Sequence, residues 1–200
     1  MFIIGLTGGI ASGKSTVAKM LVEKGAYLLD ADLLAREAVE PGKPAWEKIV
    51  QWLGETILLP DRTINREKLG NIVFNNKEKL SELNRIVHPW VGQEFIRRAD
   101  EIKANDPQAV LVYDIPLLIE AGMQKVVDLV LLVYLSEEIQ ISRLQLRNNL
   151  SHTEAVKRVR SQTPLAEKKK HAHRVIDNSG TLAETADQVD QFWQWLKARI

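Results

Sequence analysis

Two rhythms of apolar positions alternate along this chain. Short, nearly uninterrupted apolar stretches occur at Phe2–Leu6, Ala26–Leu29, Val110–Tyr113, Leu129–Tyr134 and Arg174–Ile176. Such stretches read as strands buried on both faces. Between them the apolar residues recur at helical spacing. Val17, Met20 and Leu21 share one face of a helix predicted over Lys14–Lys24, and Gly25 is placed to end it. Ser136-Glu137-Glu138 is an N-cap with an acidic first turn, and Ser151…Glu154 and Thr181…Glu184 are capping-box patterns. After the last of these, Leu182, Ala186, Val189, Trp193 and Leu196 form a stripe expected to face the core, with Trp195 off it and exposed. The alternation predicts an α/β fold: a three-layer arrangement with a parallel sheet between helices.

One interval breaks the rhythm. From about Leu33 to Ala104 there is little strand character, while Trp46, Ile49, Trp52 and Leu53, and again Leu80, Leu83, Ile86 and Val87, have helical spacing. Roughly seventy residues far exceed an ordinary strand-to-strand crossover. A mostly helical insertion forming a second lobe is the expectation. The organisation expected is a single domain over 1–200, with a core of 1–32, 105–136 and 170–200, the insertion at about 33–104, and a further helical segment at about 137–169.

The chemistry is concentrated where the first strand ends. Gly8-Gly9-Ile10-Ala11-Ser12-Gly13-Lys14-Ser15 is a glycine, four residues, then Gly-Lys-Ser, directly after an apolar strand and opening a helix. In that context the pattern is a phosphate-binding loop. Backbone N–H groups of Gly9 through Thr16 can turn inward around phosphate oxygens, and the helix presents its positive end to the same anion. Lys14 would reach the β- and γ-phosphates, and the Ser15 hydroxyl would ligate Mg²⁺.

Composition narrows the alternatives. Lys plus Arg number 27 against 26 acidic residues, a net charge of +1, so no global basic field suggests nucleic-acid binding. Cysteine is absent, which excludes disulfides, thiolate metal sites and thiol catalysis and fits a reducing cytoplasm. The longest apolar run, Val126 to Leu135, is broken by Asp128 and is about half a membrane span, so no membrane role and no targeting segment are expected.

Other residues could complete a phosphoryl-transfer site. Asp30-Ala31-Asp32 ends the second strand, at the edge of a parallel sheet where ligands bind. Asp32 could accept the proton of an attacking hydroxyl or simply cap the next helix; spacing leaves both open, and Asp30 reads as the more structural of the two. Asp114 follows the third strand, where it could hold Mg²⁺ or cap the turn into Pro116. Arg143 and Arg147 lie four apart on one helical face, able to clamp phosphates or to form a solvated basic face with Arg158 and Arg160 beyond. Lys168-Lys169-Lys170-His171 reads as a solvated run. His88 before Pro89 has no local mark of function.

Taken in order, several motifs together resemble the dephospho-coenzyme A kinases of bacteria. They are Leu6 to Thr16 with the loop, Asp30-Ala31-Asp32 with Ala35-Arg36, His88-Pro89, Pro116-Leu117-Leu118-Ile119-Glu120, Gln140-x-x-Arg143-Leu144-x-x-Arg147, Gln162, and Val175-Ile176-Asp177-Asn178. The resemblance covers nearly the whole chain. It implies a P-loop kinase fold with a helical substrate-binding lobe (the CoA-binding insertion) and a lid, and a cytoplasmic enzyme that uses ATP with Mg²⁺ and needs no obligate protein partner. The implied reaction is phosphorylation of the 3′-hydroxyl of the dephospho-CoA ribose, the last step of coenzyme A synthesis. On this resemblance Asp32 is the catalytic base. Lys14 and Arg143, with Arg147, stabilise the transferring group. Thr7, Arg36, His88, Leu117 and Glu120 line the acceptor site, and Asn178 lies beside the ATP base.

Two positions depart from the family pattern. Ala11 stands where glycine is frequent, and a methyl there implies a negative φ. Ile119 stands where an aromatic is frequent, which bears on the shape of the acceptor pocket. The rival readings are another small-molecule kinase, such as a nucleoside monophosphate kinase, and a nucleotide-dependent switch. For a guanine-reading switch the nearest string, Asn76-Lys77-Glu78-Lys79, lacks the required aspartate.

Overall fold

A computed structural model describes residues 1–73 and 76–200. The apolar stretches become five strands: β1 (Phe2–Gly8), β2 (Tyr27–Asp30), β3 (Val110–Asp114), β4 (Leu129–Tyr134) and β5 (Arg174–Asp177). They form one sheet in the order β2-β3-β1-β4-β5. β1 is central and pairs in parallel with β3 and β4, setting Leu6 beside Asp114 and Gly8 beside Val133. β4 pairs in parallel with β5 up to Tyr134 and Asp177. The strands that carry Gly8, Asp114 and Asp177 therefore finish at one edge of the sheet, where loops leave for the helices. All of β3 is buried, as a strand covered on both faces must be.

The helices are α1 (Lys14–Glu23), α2 (Ala31–Ala38), α3 (Pro44–Leu53), α4 (Arg66–Val73), α5 (Lys77–Asn105), α6 (Glu137–Asn148), α7 (His152–Val159), α8 (Leu165–Lys169) and α9 (Leu182–Lys197). Their ends follow local chemistry. Gly25 takes a φ of 97° just past α1, a conformation a side chain would resist. Both capping boxes form at α7 and α9, and Ser136 Oγ accepts from the Ile139 N–H at α6. None of the helices among the described residues is long and apolar enough to cross a membrane.

The chain divides into two compact units, one of Met1–Leu29 with Ile102–Ile200 and one of Asp30–Glu101. In the first, β1, β3 and β4 pack against α1 and α9 through Ile4, Leu6, Val17, Leu21, Val112, Leu131, Val133, Val189, Phe192 and Leu196. A smaller cluster of Ile141, Leu144, Ala155 and Val159 joins α6 to α7, and Ile10 and Ala11 of the loop pack on it. The second unit is helical, with one isolated antiparallel bridge, Leu58 to Ile64. Its buried residues include Leu34, Ala45, Ile49, Ile86, Val91 and Phe95. Pro89 sits inside α5, where its missing N–H leaves the carbonyl one turn back without its helical partner.

Two expectations about α9 are corrected. Its buried face is Thr185, Val189, Phe192 and Leu196, while Leu182 is exposed in the first turn. Thr185 Oγ1 donates to Asn178 Oδ1 at 2.7 Å, so a polar residue fixes the helix's rotation where an apolar count would pass over it. Trp195 is half-buried rather than exposed. It stacks on Phe192 at 6.1 Å between centroids, and the guanidinium groups of Arg174 and Arg199 each lie over its ring, at 4.0 and 4.5 Å from the centroid.

Candidate active site

β1 delivers the chain into the glycine-rich loop, and α1 takes it away. Gly8 needs to lack a side chain because a Cβ there would meet Ser12 Oγ, which is buried under the loop. Gly13 has a φ of 84° and faces the Asn178 amide, so both its backbone and its surroundings exclude a methyl. Asn178 is itself tightly held. Its N–H donates to the Tyr134 carbonyl at 2.8 Å, its Nδ2 donates to the Ser12 carbonyl at 2.8 Å, and its Oδ1 accepts from Thr185. The residue expected beside the ATP base is thus placed as a strut under the loop.

Ala11 has a φ of 59°, against the negative value expected from its methyl. The neighbours override the residue's preference. Ile10 N–H donates to Gln162 Oε1 at 2.8 Å, and Gln140 Nε2 donates to the Ile10 carbonyl at 2.9 Å. With both sides of Ile10 gripped and Ala11 packed on the α6–α7 cluster, the turn is over-determined and carries a left-handed alanine.

Lys14 at the start of α1 is ion-paired with Asp114, which is only 3% exposed at the end of β3. Ser15 follows with its side chain exposed, and Thr16 continues the helix. Asp114 and Ser15 are hard oxygen donors of the kind Mg²⁺ takes, in the small number it uses when phosphates and water complete its shell. Among the described residues no group of three or more His, Asp or Glu side chains could hold a metal on its own. This donor set therefore fits a metal that arrives with a nucleotide.

Arg143 on α6 is half-buried, with no ion pair or hydrogen bond to its guanidinium among the described residues. It lies one turn beyond Gln140, which touches the loop, so it shares the loop-facing side of the helix. Arg147, two turns from Gln140, is exposed, and its Nε donates to Asn148 Oδ1 at 2.9 Å. Arg160 pairs with Glu137 at 2.9 Å.

Past β3, Thr7 is fully buried and its hydroxyl donates to the Pro116 carbonyl at 3.1 Å. Leu117 is 46% exposed while Leu118 is buried completely. Glu120 accepts from the Lys168 ammonium at 2.8 Å and from the Thr163 N–H at 3.3 Å. Lys168 corrects the reading of residues 168–171 as a solvated run, because its side chain is 0% exposed. It lies on the same face of α8 as buried Leu165, three residues earlier, and only that spacing in the sequence hinted at it.

The helical unit carries the remaining expected residues. Asp30 caps α2, accepting from the Asp32 N–H at 2.8 Å and the Leu33 N–H at 3.1 Å. The ambiguity between the two carboxylates is resolved: Asp30 is the cap. The Asp32 side chain is exposed and has no partner among the described residues, and Arg36 is exposed one turn further along the same face. His88 is exposed on α5, ahead of Pro89. Gln140, Gln162, Thr185 and Lys168 are the functional supports that residue-type reasoning missed; the first two stood in quoted motifs with no role attached.

A sheet of this order, with a formed phosphate loop, its lysine resting on a strand-end carboxylate and an arginine on the loop-facing side of α6, defines a kinase of the P-loop class. Comparison with known proteins narrows the class. The family model for dephospho-CoA kinase matches residues 2–184. A dephospho-CoA kinase from Bacillus licheniformis is 50% identical over 190 residues, covering 94% of each chain. The solved dephospho-CoA kinase from Campylobacter jejuni has a TM-score of 0.75 at 27% identity, over 99% of this chain and 98% of that one. A shikimate kinase from Acinetobacter baumannii shares the fold alone, with a TM-score of 0.54 at 18% identity over 99% and 94% of the two chains. The chain belongs to the dephospho-CoA kinase family, which carries out the final step of coenzyme A synthesis.

Proposed function

We propose that this chain transfers the γ-phosphoryl group of ATP to the 3′-hydroxyl of the dephospho-CoA ribose, giving coenzyme A and ADP, with residues 137–169 acting as lid and the helical insertion as acceptor lobe. The observation that carries the reading is Lys14 seated on buried Asp114 beside a fully formed phosphate loop. That pair is poised for exchange. With triphosphate present Lys14 would turn from the carboxylate to the β- and γ-phosphates, and Asp114 and Ser15 would be the residues to hold Mg²⁺. The metal, when bound, supplies neutralising charge on the phosphate oxygens. Loop N–H groups between Gly9 and Thr16, other than that of Ile10, which is given to Gln162, hold the phosphates, and Asn178 serves ATP through the loop it supports.

Asp32 takes the proton from the 3′-hydroxyl as its oxygen bonds to the γ-phosphorus and the bond to ADP breaks. It has no partner among the described residues, which leaves it available for this. Arg143, without a partner among the described residues, and Arg147 stabilise the charge that spreads over the transferring group. Thr7, Arg36, His88, Leu117 and Glu120 recognise the acceptor. Closure of the lid excludes water, which would otherwise consume ATP. The reading places the enzyme in the cytoplasm with its two small-molecule substrates, without nucleic acid, membrane or an obligate protein partner.

The direct test is ATP-dependent formation of coenzyme A from dephospho-CoA; phosphorylation of a nucleoside monophosphate in its place would overturn the acceptor assignment. Asp32→Asn should then lower kcat by roughly a hundredfold or more while ATP affinity is kept, and near-normal turnover would remove Asp32 from the base role.

A further inference from the structure

Lys168 is the least expected side chain in the first unit: a lysine with no exposure at all. A buried ammonium persists only where its charge and its protons are matched. Here each of its three protons has an acceptor. Nζ donates to the Gly8 carbonyl at 3.3 Å, to the Pro116 carbonyl at 3.1 Å and to Glu120 Oε1 at 2.8 Å. These acceptors lie on two chain segments distant in sequence, the last residue of β1 and the turn after β3. Lys168 itself sits on α8, a third. The Pro116 carbonyl is shared with Thr7 Oγ1, and Glu120 Oε1 is shared with the Thr163 N–H, so the contacts form one connected network. Above it stand exposed Leu117 and the outward part of Glu120, whose side chain is 23% exposed.

We propose that Lys168 is a positioning residue, fixing the Pro116–Glu120 turn against the mouth of the phosphate loop so that Leu117 and Glu120 are held in place to receive the acceptor. This rests on the reading that those two residues face dephospho-CoA. The geometry gives Lys168 one task per proton: the Gly8 contact ties it to the donor side, and the Pro116 and Glu120 contacts tie it to the acceptor side. It touches no reacting atom. Its influence falls on how the acceptor is bound, since the N–H groups of the loop are oriented by other contacts, those of Asn178, Gln140 and Gln162.

Steady-state kinetics with each substrate varied, on Lys168→Met, Glu120→Gln and the double variant, test this, alongside thermal melts. Lys168→Met should raise the KM for dephospho-CoA about tenfold or more, with the ATP KM within about twofold of the parent. The double variant should be no worse than Lys168→Met, because without Lys168 the Glu120 carboxylate is no longer held where it meets the acceptor. Lys168→Met leaves a carboxylate without its counter-charge; if that chain does not fold, the double variant lacks the unpaired charge and is read against Glu120→Gln, over which its acceptor KM should rise further. A folded variant with the parental acceptor KM, or with both KM values raised together, overturns the proposal. Glu120→Gln alone addresses the underlying reading. A parental acceptor KM there rejects contact between Glu120 and the acceptor, while a raised value in Lys168→Met still supports positioning of Leu117 through Pro116.

Discussion

Ala11 shows how far a neighbourhood can overrule a residue. A left-handed alanine is disfavoured by about 1–2 kcal/mol. Its φ of 59° persists because the loop on either side is anchored. Glycine at position 11 would remove the strain, at the cost of a methyl that packs on the α6–α7 cluster and a more flexible unfolded chain. Ala11→Gly should therefore change stability by less than about 1 kcal/mol and keep activity. Valine adds β-branching to a positive φ, a far worse combination. Ala11→Val should lower stability by about 2 kcal/mol or more and weaken ATP binding, as urea unfolding and nucleotide titration would report. A stable, fully active Ala11→Val chain would mean the loop can relax to a different turn. The sequence could not reveal this φ, because Gln140 and Gln162, which impose it by gripping Ile10, are 130 and 152 positions from Ile10. Lys168 was hidden for the same reason: its burial depends on the Gly8, Pro116 and Glu120 acceptors, and within its own neighbourhood it is one of three consecutive lysines.

At the level of elements, legibility followed how local the determining forces are. The strands could be read because each is a short apolar run, although only the inner ones are buried on both faces: β3 is buried along its whole length, while the edge strands β2 and β5 each bury a single residue. The capped helices could be read because a capping box lies within four residues. The phosphate loop could be read because its glycines answer needs of the loop itself, seen at Gly8 and Gly13. The rotation of α9 could not, since Thr185 owes its burial to Asn178 on the preceding turn. The link between α6–α7 and the loop is likewise tertiary: the Gln140 amide and the Gln162 carbonyl oxygen close on the two backbone groups of Ile10. This clamp joins the helix bearing Arg143 to the phosphate loop, so movement of one element is felt by the other. Gln162→Leu removes the acceptor for the Ile10 N–H and should cost about 1–3 kcal/mol of local stability. The expected kinetic result is a several-fold higher ATP KM with the dephospho-CoA KM little changed. An unchanged ATP KM would show that the loop holds its shape without the clamp.

On the scale of the whole molecule, the helical unit carries an electrostatic brace built around one carboxylate. Glu94 on α5 pairs with Arg97 at 2.6 Å and Arg98 at 2.7 Å, and Arg98 reaches across to Glu37 on α2. The hydrogen bond from Arg97 does most to hold the Glu94 carboxyl down to about 2, against an ordinary value of 4.5, with Arg98 adding to it and partial burial opposing. A carboxyl whose folded value is depressed gives stability that is complete above its unfolded value and is lost as pH falls toward the folded one. The window is therefore pH 4.5 down to about 2. Arg97 and Arg98 stay charged throughout it, so protonation of Glu94 removes the attraction and leaves two neighbouring cations together. The capping-box carboxylates Glu154 and Glu184 are shifted down as well, by their hydrogen bonds from Ser151 and Thr181, but both are fully solvated and add little. Three of the five tryptophans, Trp46, Trp52 and Trp90, lie in the helical unit, so tryptophan fluorescence during urea unfolding includes it, together with the other unit through Trp193 and Trp195. Stability measured this way should fall through the acid window in the parent. Glu94→Gln should start lower at neutral pH and lose less between pH 4.5 and about 2, so that the two curves converge at the acid end. Parallel curves across that window would show that the brace contributes nothing that depends on the charge of Glu94.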